Sequence, residues 1–523
     1  MYRPDIVSVF RRTARRHGDR PFLIDSQSSV TYAQAEQLTD VAAAELVARG
    51  VSPGDTVGFC APDQVSLWLG IIAAWKAGAL PGLLDAQLSA DALPYFVEDV
   101  DAPVVAAAVE RHDVLRAAGA RSVIDLDDLT PVPAAGQPAA AGQPAAAGQA
   151  SGAQPAATGQ AAATGRASGA QPVDRHGPDA PLYLSYTSGT TGLPKGVVLR
   201  SADVTRATSC IADRLGLRHD DVLLATTPIP SSFQLVAALM PAVHTGAAVA
   251  LVAGRPVAEM WQVARDNRAT VLVAYPLTLA DIVNAPDAAD DPPFRVALSG
   301  GSPLAPRIKR DYLSTLGISL LESYGQSEMG GFMAMGSPAD GERALEGWVG
   351  RPLPDRASYV AGVDEPFDEL PAGQVGEVLV AHGFFPEYRN KPDRFADTTQ
   401  GGVLHTGDLA VADPDGYIMV LGRTNEAASA AARGGFLREL EDALYSHPAV
   451  LHAAVVDRGD GELAGFYEAR WGHAVTPDEL IAHAGATVPP ALLPSTMTEL
   501  DAMPRTFSGK ADRLGLAHRA AAG

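Results

Sequence analysis

Cysteine is nearly missing from these 523 residues: Cys60 and Cys210 are the two present. That is too few for a disulfide framework or a cysteine-based zinc or iron–sulfur site, and their apolar or helical surroundings read as core thiols. Lysine is almost as scarce, with Lys76, Lys195, Lys309, Lys391 and Lys510 the five among 40 basic residues. In a chain that prefers guanidinium, a retained ammonium is a candidate for work needing a compact charge on a flexible stem, ordinary surface charge being the plain alternative. Positive charge as a whole is in deficit, 40 basic against 61 acidic residues for a net of −21. This disfavours general binding to nucleic acid or anionic lipid but leaves room for a local anion site. No long apolar run follows the basic start MYRPDIVSVFRRTARRHGDR, so it reads as an amphipathic surface helix rather than a leader or membrane span. A cytoplasmic protein, monomeric or homodimeric, with neither nucleic acid nor membrane as partner, is the expectation.

What is present is apolar material for large cores: 47% of residues are hydrophobic and 19% charged. From Phe22 to Ala107, short apolar strands alternate with helical stretches. Thr31 can cap a helix that Gly50 ends, Pro53-Gly54-Asp55 makes a turn, and SLWLGIIAAWKAGALPGLL reads as a buried helix and a strand. The alternation resumes from Leu182 to about Pro306 and predicts a layered α/β fold. Between them, residues 131–172 form an imperfect Ala, Gly, Gln, Pro repeat with one charge, Arg166. It has too little apolar side chain to offset ordering and is expected to be a disordered insert. Strand-rich sequence runs on to YIMVLG, and a separate α/β signature follows Gly422. The expected organisation is a large N-terminal body of several subdomains with mixed sheets, residues 1–422, and a small mobile α+β domain, residues 423–523.

The strongest local signal is YLSYTSGTTGLPKGVVLR. An apolar strand opens into Thr187, Ser188, Gly189, Thr190, Thr191 and Gly192, then Lys195, and a second apolar stretch follows. Glycines permit close backbone approach, hydroxyls donate, and the lysine brings mobile charge, a combination suited to oligophosphate. GxxxxGK[ST] is absent, so this is no Walker A loop, and a flexible surface turn is the alternative reading.

This loop resembles the phosphate-binding signature of the adenylate-forming superfamily of acyl- and aryl-CoA synthetases, peptide-synthetase adenylation domains and luciferases. The resemblance continues in order through ALSGGSPL, ESYGQSEMG, HTGDLAVADPDGYIMVLGR and MPRTFSGK, spanning nearly the whole chain outside the insert. It implies a mixed α/β ligase that uses ATP and Mg²⁺. It implies that Glu328 binds the metal, with Thr187 beside it, that Ser327 lies near the α-phosphate, and that Tyr324, followed by Gly325, stacks on adenine. Asp408 and Arg423 would hold ribose or phosphate, and Gly300, Gly301 and Ser302 would wall the nucleotide. Lys195 would grip the pyrophosphate, and Lys510 would reach in from the small domain to stabilise charge during adenylation.

Two regions depart from the pattern. In GRTNEAASAAARGGFLRELE an ungapped match places Asn425 at the hinge, Ala431 and Ala432 where glycines are usual, and Leu437 at a proline position; a three-residue slip would instead use Gly434 and Gly435. The acyl pocket, expected from Ser231, Ser232, Phe233, Gln234, Tyr275 and Gly330, lacks the usual aromatic or histidine pair and suits a small, substituted aryl or polar acid. His382, His405 and Cys210 receive no catalytic role. The implied reaction is adenylation of a small, possibly aromatic carboxylic acid, then transfer to CoA or a carrier-protein phosphopantetheine. The substitutions leave open an amine as acceptor, nitrite activation for diazotisation of an aromatic amine, or a ligase-derived binding protein without activity.

Overall fold

The computed structural model describes residues 4–132, 175–186, 194–229, 231–285, 292–354, 356–363, 367–382, 387–458, 461–506 and 509–522. Almost all of the expected insert, and residues 187–192 of the phosphate loop, lie outside them. Among the described residues the strands form four sheets. A nine-stranded sheet is parallel from Ser319–Tyr324 through Val296–Ser299, Val271–Ala274, Val222–Ala225 and Ala248–Leu251 to Pro21–Ile24, with antiparallel strands at both edges. A seven-stranded sheet is parallel from Val123–Asp125 to Pro181–Tyr186 and ends in antiparallel Gly196–Arg200 and Glu387–Tyr388. The inner strands are short, continuously apolar and buried, VLVA and VVAA among them, as strands covered on both faces must be.

The helix Val65–Lys76 is buried along its whole length, which its nearly unbroken apolar sequence requires. It belongs to one cluster of buried side chains that also takes Val57, Phe59 and Val104 from the smaller sheet and Leu223, Val249 and Val271 from the larger. Sealing Trp68 and Trp75 there supplies some of the largest apolar burials in the chain. The basic N-terminal stretch is the helix Ile6–His17, capped by Asp5, with Ile6, Val9 and Phe10 in the same core. Thr31 caps Tyr32–Ala48 in a reciprocal box with Gln34, and Gly50 takes φ +91° just after that helix ends.

Two lysines depart from the expectation of surface charge. Lys76 is fully buried, its Nζ 2.8 Å from Asp40 and 2.9 Å from Glu36. Lys309 is equally enclosed, 2.7 Å from Glu322 and donating to the Trp348 carbonyl. Interior ammoniums persist only when paired in this way. Cys60 is buried and Cys210 half-buried, and neither is in a disulfide.

A third, five-stranded sheet centres on Val403–Ala412, which pairs with Gly376–His382 and Ile418–Arg423. The last sheet has three strands, Val450–Asp457, Leu463–Ala469 and Thr496–Glu499. With the helix Leu437–Ser446 it joins a second apolar cluster reaching the helices that cover the larger sheet. This packing brings the chain's final hundred residues against the large body. Among the described residues, no helix is long and apolar enough to cross a membrane.

Candidate active site

Parallel strands direct the loops at their carboxyl ends toward one side of a sheet, and a crevice forms where those loops converge. Tyr275 follows Val271–Ala274, Gly301 follows Val296–Ser299, and Gly325 to Glu328 follow Ser319–Tyr324. All of them line a cavity of about 560 Å³, together with Lys195, Ser231, Ser232, Phe233, Arg423 and Lys510. The wall therefore carries two ammoniums and a guanidinium together with the carboxylates of Glu328 and Asp85, in a concave setting that focuses the field of these charges.

Two glycines are required by packing. A Cβ on Gly300 would stand 2.5 Å from both the Phe233 ring and Ser323 Oγ, and one on Gly301 would stand 2.5 Å from the Tyr275 ring. The rings thus press directly on the strand-end backbone. Phe233 stacks on Tyr275 at 5.1 Å and lies 5.7 Å from Phe332, and Ser231 Oγ bonds the Tyr275 hydroxyl. Aromatic faces and serine hydroxyls make up this end of the cavity.

Lys510 arrives from the C-terminal segment with Nζ 5.3 Å from the Tyr275 ring centre. Burial, reinforced by the Arg423 charge, pushes its pKa down to about 8. Asp408 stands behind the lining, accepting from Tyr324 OH at 2.7 Å and Gln326 Nε2 at 2.6 Å while pairing with Arg423 at 3.1 Å. Burial still raises its pKa, despite these partners. Ser327 opens the short 3₁₀ turn that carries Glu328, and Ser302 is half-buried outside the lining.

Other expectations differ in placement as well. Gln234 turns away from the cavity: it is fully buried and donates to Asp63 at 2.7 Å while accepting from Thr227. Asp63 also accepts from Trp68 Nε1, and burial pushes its pKa up to about 7. Gly330 also faces inward, where a Cβ would meet Val204 at 2.7 Å, and Gly331 lines the cavity in its stead. Ala431 and Ala432 are exposed residues of the helix Ala427–Arg433, which ends on Gly434 at φ +74°. The left-handed position falls on Gly434, and neither alanine is among the residues lining the cavity. Leu437 opens the next helix, and Asn425 is exposed in the turn Thr424–Glu426 that follows the strand Ile418–Arg423.

Several wall residues were not singled out from sequence. Tyr388 OH donates to Glu328 at 2.8 Å, and the same ring lies 4.7 Å beneath Lys195 Nζ. Gln326 bridges Asp408 and the Thr406 carbonyl. His405 lines the cavity with Nδ1 held by Glu377 at 3.0 Å, and its Nε2 has no hydrogen-bond partner among the described residues. Gln326 sits inside a recognisable motif, whereas Tyr388 has no local signal at all.

Comparison with known proteins agrees with the architecture. The model of the AMP-binding enzyme family matches residues 10–385, and that of the AMP-binding enzyme C-terminal domain matches residues 439–510. A sulfoacetate–CoA ligase of Cupriavidus necator is 32% identical over 66% of this chain and 68% of its own length. A fatty acid–[acyl-carrier-protein] ligase, ScoC of Streptomyces coeruleorubidus, is 27% identical over 99% of this chain and 98% of its own. The crystal structure of the anthranilate CoA ligase AuaEII with anthranoyl-AMP superposes with a TM-score of 0.83 at 19% identity, covering 99% and 97% of the two chains. With a family model matched over most of its length and the fold shared from end to end, the chain belongs to the AMP-binding enzyme family of adenylate-forming acid ligases.

Proposed function

We propose that the protein joins a small carboxylic acid to a thiol through an acyl adenylate, with ATP as adenylyl donor. A carboxylate oxygen attacks the α-phosphorus, the bond from that phosphorus to the bridging oxygen breaks, and pyrophosphate leaves. The thiol of CoA or of a carrier-protein phosphopantetheine then attacks the acyl carbon and loses its proton, while AMP departs with the bonding electrons. The observation carrying this reading is the convergence of Lys510, from the C-terminal segment, with Lys195, Arg423 and Glu328 on one cavity.

In this reading Lys510 stabilises the charge that builds on carboxylate and α-phosphate, and Lys195 accompanies the departing pyrophosphate together with residues 187–192. Asp408 and Arg423 hold the ribose, Tyr324 flanks adenine, and Ser327 meets the α-phosphate. Mg²⁺ fits the donor set, since Glu328 presents hard carboxylate oxygen to the cavity. Among the described residues no group of three His, Cys, Asp or Glu side chains gathers as a metal site; Glu328 would hold the ion, with Thr187 as the second protein donor. When bound it would neutralise phosphate charge. The small part, residues 423–523, turns about Asn425 between the two steps, with residues 1–422 as the body.

The stacked Phe233 and Tyr275 rings, pressed on Gly300 and Gly301, favour a short or aryl acid over a long alkyl chain. Pyrophosphate release from Mg·ATP with acetate, sulfoacetate, benzoate, 2-aminobenzoate and octanoate, and with nitrite plus an aryl amine, tests this, followed by challenge of the bound adenylate with CoA, phosphopantetheinylated carrier protein and amines. Release with a small acid and capture by a thiol is the expected result. Release only with nitrite and an aryl amine would move the assignment to diazotisation, and ATP binding with no release under any condition would make this a binding protein.

A further inference from the structure

Lys510 sits at the end of a short turn whose base is closed by an antiparallel bridge between Arg505 and Ala511. Within the turn, Thr506 N donates to the Lys510 carbonyl at 2.7 Å, and Lys510 N donates to Thr506 Oγ1 at 3.3 Å. The orientation of Arg505 and that of Lys510 are therefore coupled through the backbone. Arg505 Nη2 donates to Asp281 Oδ2 at 2.6 Å, and the other carboxylate oxygen, Oδ1, accepts from His452 Nε2 at 2.7 Å. His452, on the strand Val450–Asp457, has no exposed surface.

Asp281 belongs to the helix Pro276–Val283 of the large body, whose N-cap residue is Tyr275. The turn meets this helix at two places. Near its start, the Tyr275 ring lies under Lys510 Nζ, and a Cβ on Gly509 would stand 3.6 Å from the same ring. Six residues further on, about 9 Å along the axis at the usual rise, Asp281 grips Arg505. One contact leaves a turn free to swivel, whereas two along a rigid rod define its direction. Burial alone would raise the Asp281 pKa, but His452 and Arg505 hold it below the usual carboxylate range, so it is an anion at neutral pH. Other ties between these segments fasten different elements: Arg470 to Asp311 at 2.6 Å, and Arg307 to the carbonyls of Tyr445 and His447.

We infer that Asp281 is the positioning residue for Lys510, seating its turn on the cavity wall by clamping Arg505 and His452. The inference rests on the adenylation role proposed for Lys510, and its test separates the two. The five lysines provide an internal reporter in the full-length protein. Wild type, Asp281→Ala, Asp281→Glu and Arg505→Ala are pulsed with sulfo-N-hydroxysuccinimide acetate, and labelling at each lysine is timed by peptide mass spectrometry. Pyrophosphate–ATP exchange is followed in parallel with the panel acid that reacts fastest.

The expected result is a rise of roughly tenfold in Lys510 labelling for Asp281→Ala and Arg505→Ala, with Lys195 and Lys391 unchanged and Asp281→Glu partly restored. Exchange falls in the same variants by a similar factor, while thiol capture of pre-formed adenylate does not. Unchanged Lys510 labelling in both alanine variants would overturn the inference. So would a parallel rise at Lys76 and Lys309, which marks general loosening of the body. Selective exposure of Lys510 with exchange unaltered would uphold the seat and refute the adenylation role.

Discussion

Lys510 owes its lowered pKa to enclosure beside Arg423, and that fixes the direction of its pH response. The ammonium is complete below about 8 and is lost above it, so pyrophosphate–ATP exchange is expected to decline as pH rises through that value. On the role proposed for it, Lys510→Ala is expected to remove one contact to charge developing at phosphorus, about 3 to 4 kcal/mol or a few hundredfold in exchange rate. Equilibrium ATP binding should change little. Tyr388 invites a finer dissection, since its hydroxyl serves Glu328 and its face serves Lys195. Tyr388→Phe keeps the face and deletes the hydrogen bond, so apparent affinity for Mg²⁺ at fixed ATP should weaken about tenfold, as expected for a bond to a charged acceptor. Tyr388→Leu should in addition weaken ATP binding measured by calorimetry without metal.

Among the elements, the segment from Ser232 to Leu239 shows why the pocket was only partly readable. A three-residue helical turn, Ser232–Gln234, passes into a π-type turn at Leu235–Leu239, and consecutive residues of a helical turn point about 100° apart. Phe233 stays on the cavity and Gln234 goes to Asp63. Gln234→Leu is accordingly expected to leave substrate preference intact and to lower stability. At pH 8, where the Asp63 carboxyl is largely ionised, losing the donor should cost roughly 1 to 3 kcal/mol. At pH 5.5, below its value of about 7, the protonated acid tolerates the loss and the deficit should shrink. Urea midpoints at the two pH values check this. Elements with local chemistry were legible: Thr31 and Gly50 bound their helix as propensity predicts. Tyr388 was not, because its strand is two residues long and its partner strand, Gly196–Arg200, lies far away in sequence.

At the scale of the whole molecule, alternating apolar strands and helices were enough to specify a layered α/β body, since strands buried on both faces leave a continuous apolar trace. The site was legible where glycines and charges cluster in short motifs, and illegible where tertiary packing chooses the direction of a side chain. Residues 134–171 lack core-forming side chains, so replacing them with a short Gly/Ser linker should alter neither exchange rate nor thermal transition appreciably. A tenfold fall in exchange would contradict that reading.

The seating of the lysines reaches beyond the active site. Lys76 and Lys309 are sealed in the core, and Lys195, Lys391 and Lys510 are at most half-exposed. The rest of the basic surface is guanidinium, which stays protonated at any physiological pH and is a poor nucleophile. An acyl adenylate is a mixed anhydride that modifies any free amine it meets. A molecule dressed in arginine offers its own escaping product almost no side chain to react with. Intact-mass spectra after prolonged turnover without acceptor should therefore show little self-acylation, and any adduct should map to the lysines of the cavity.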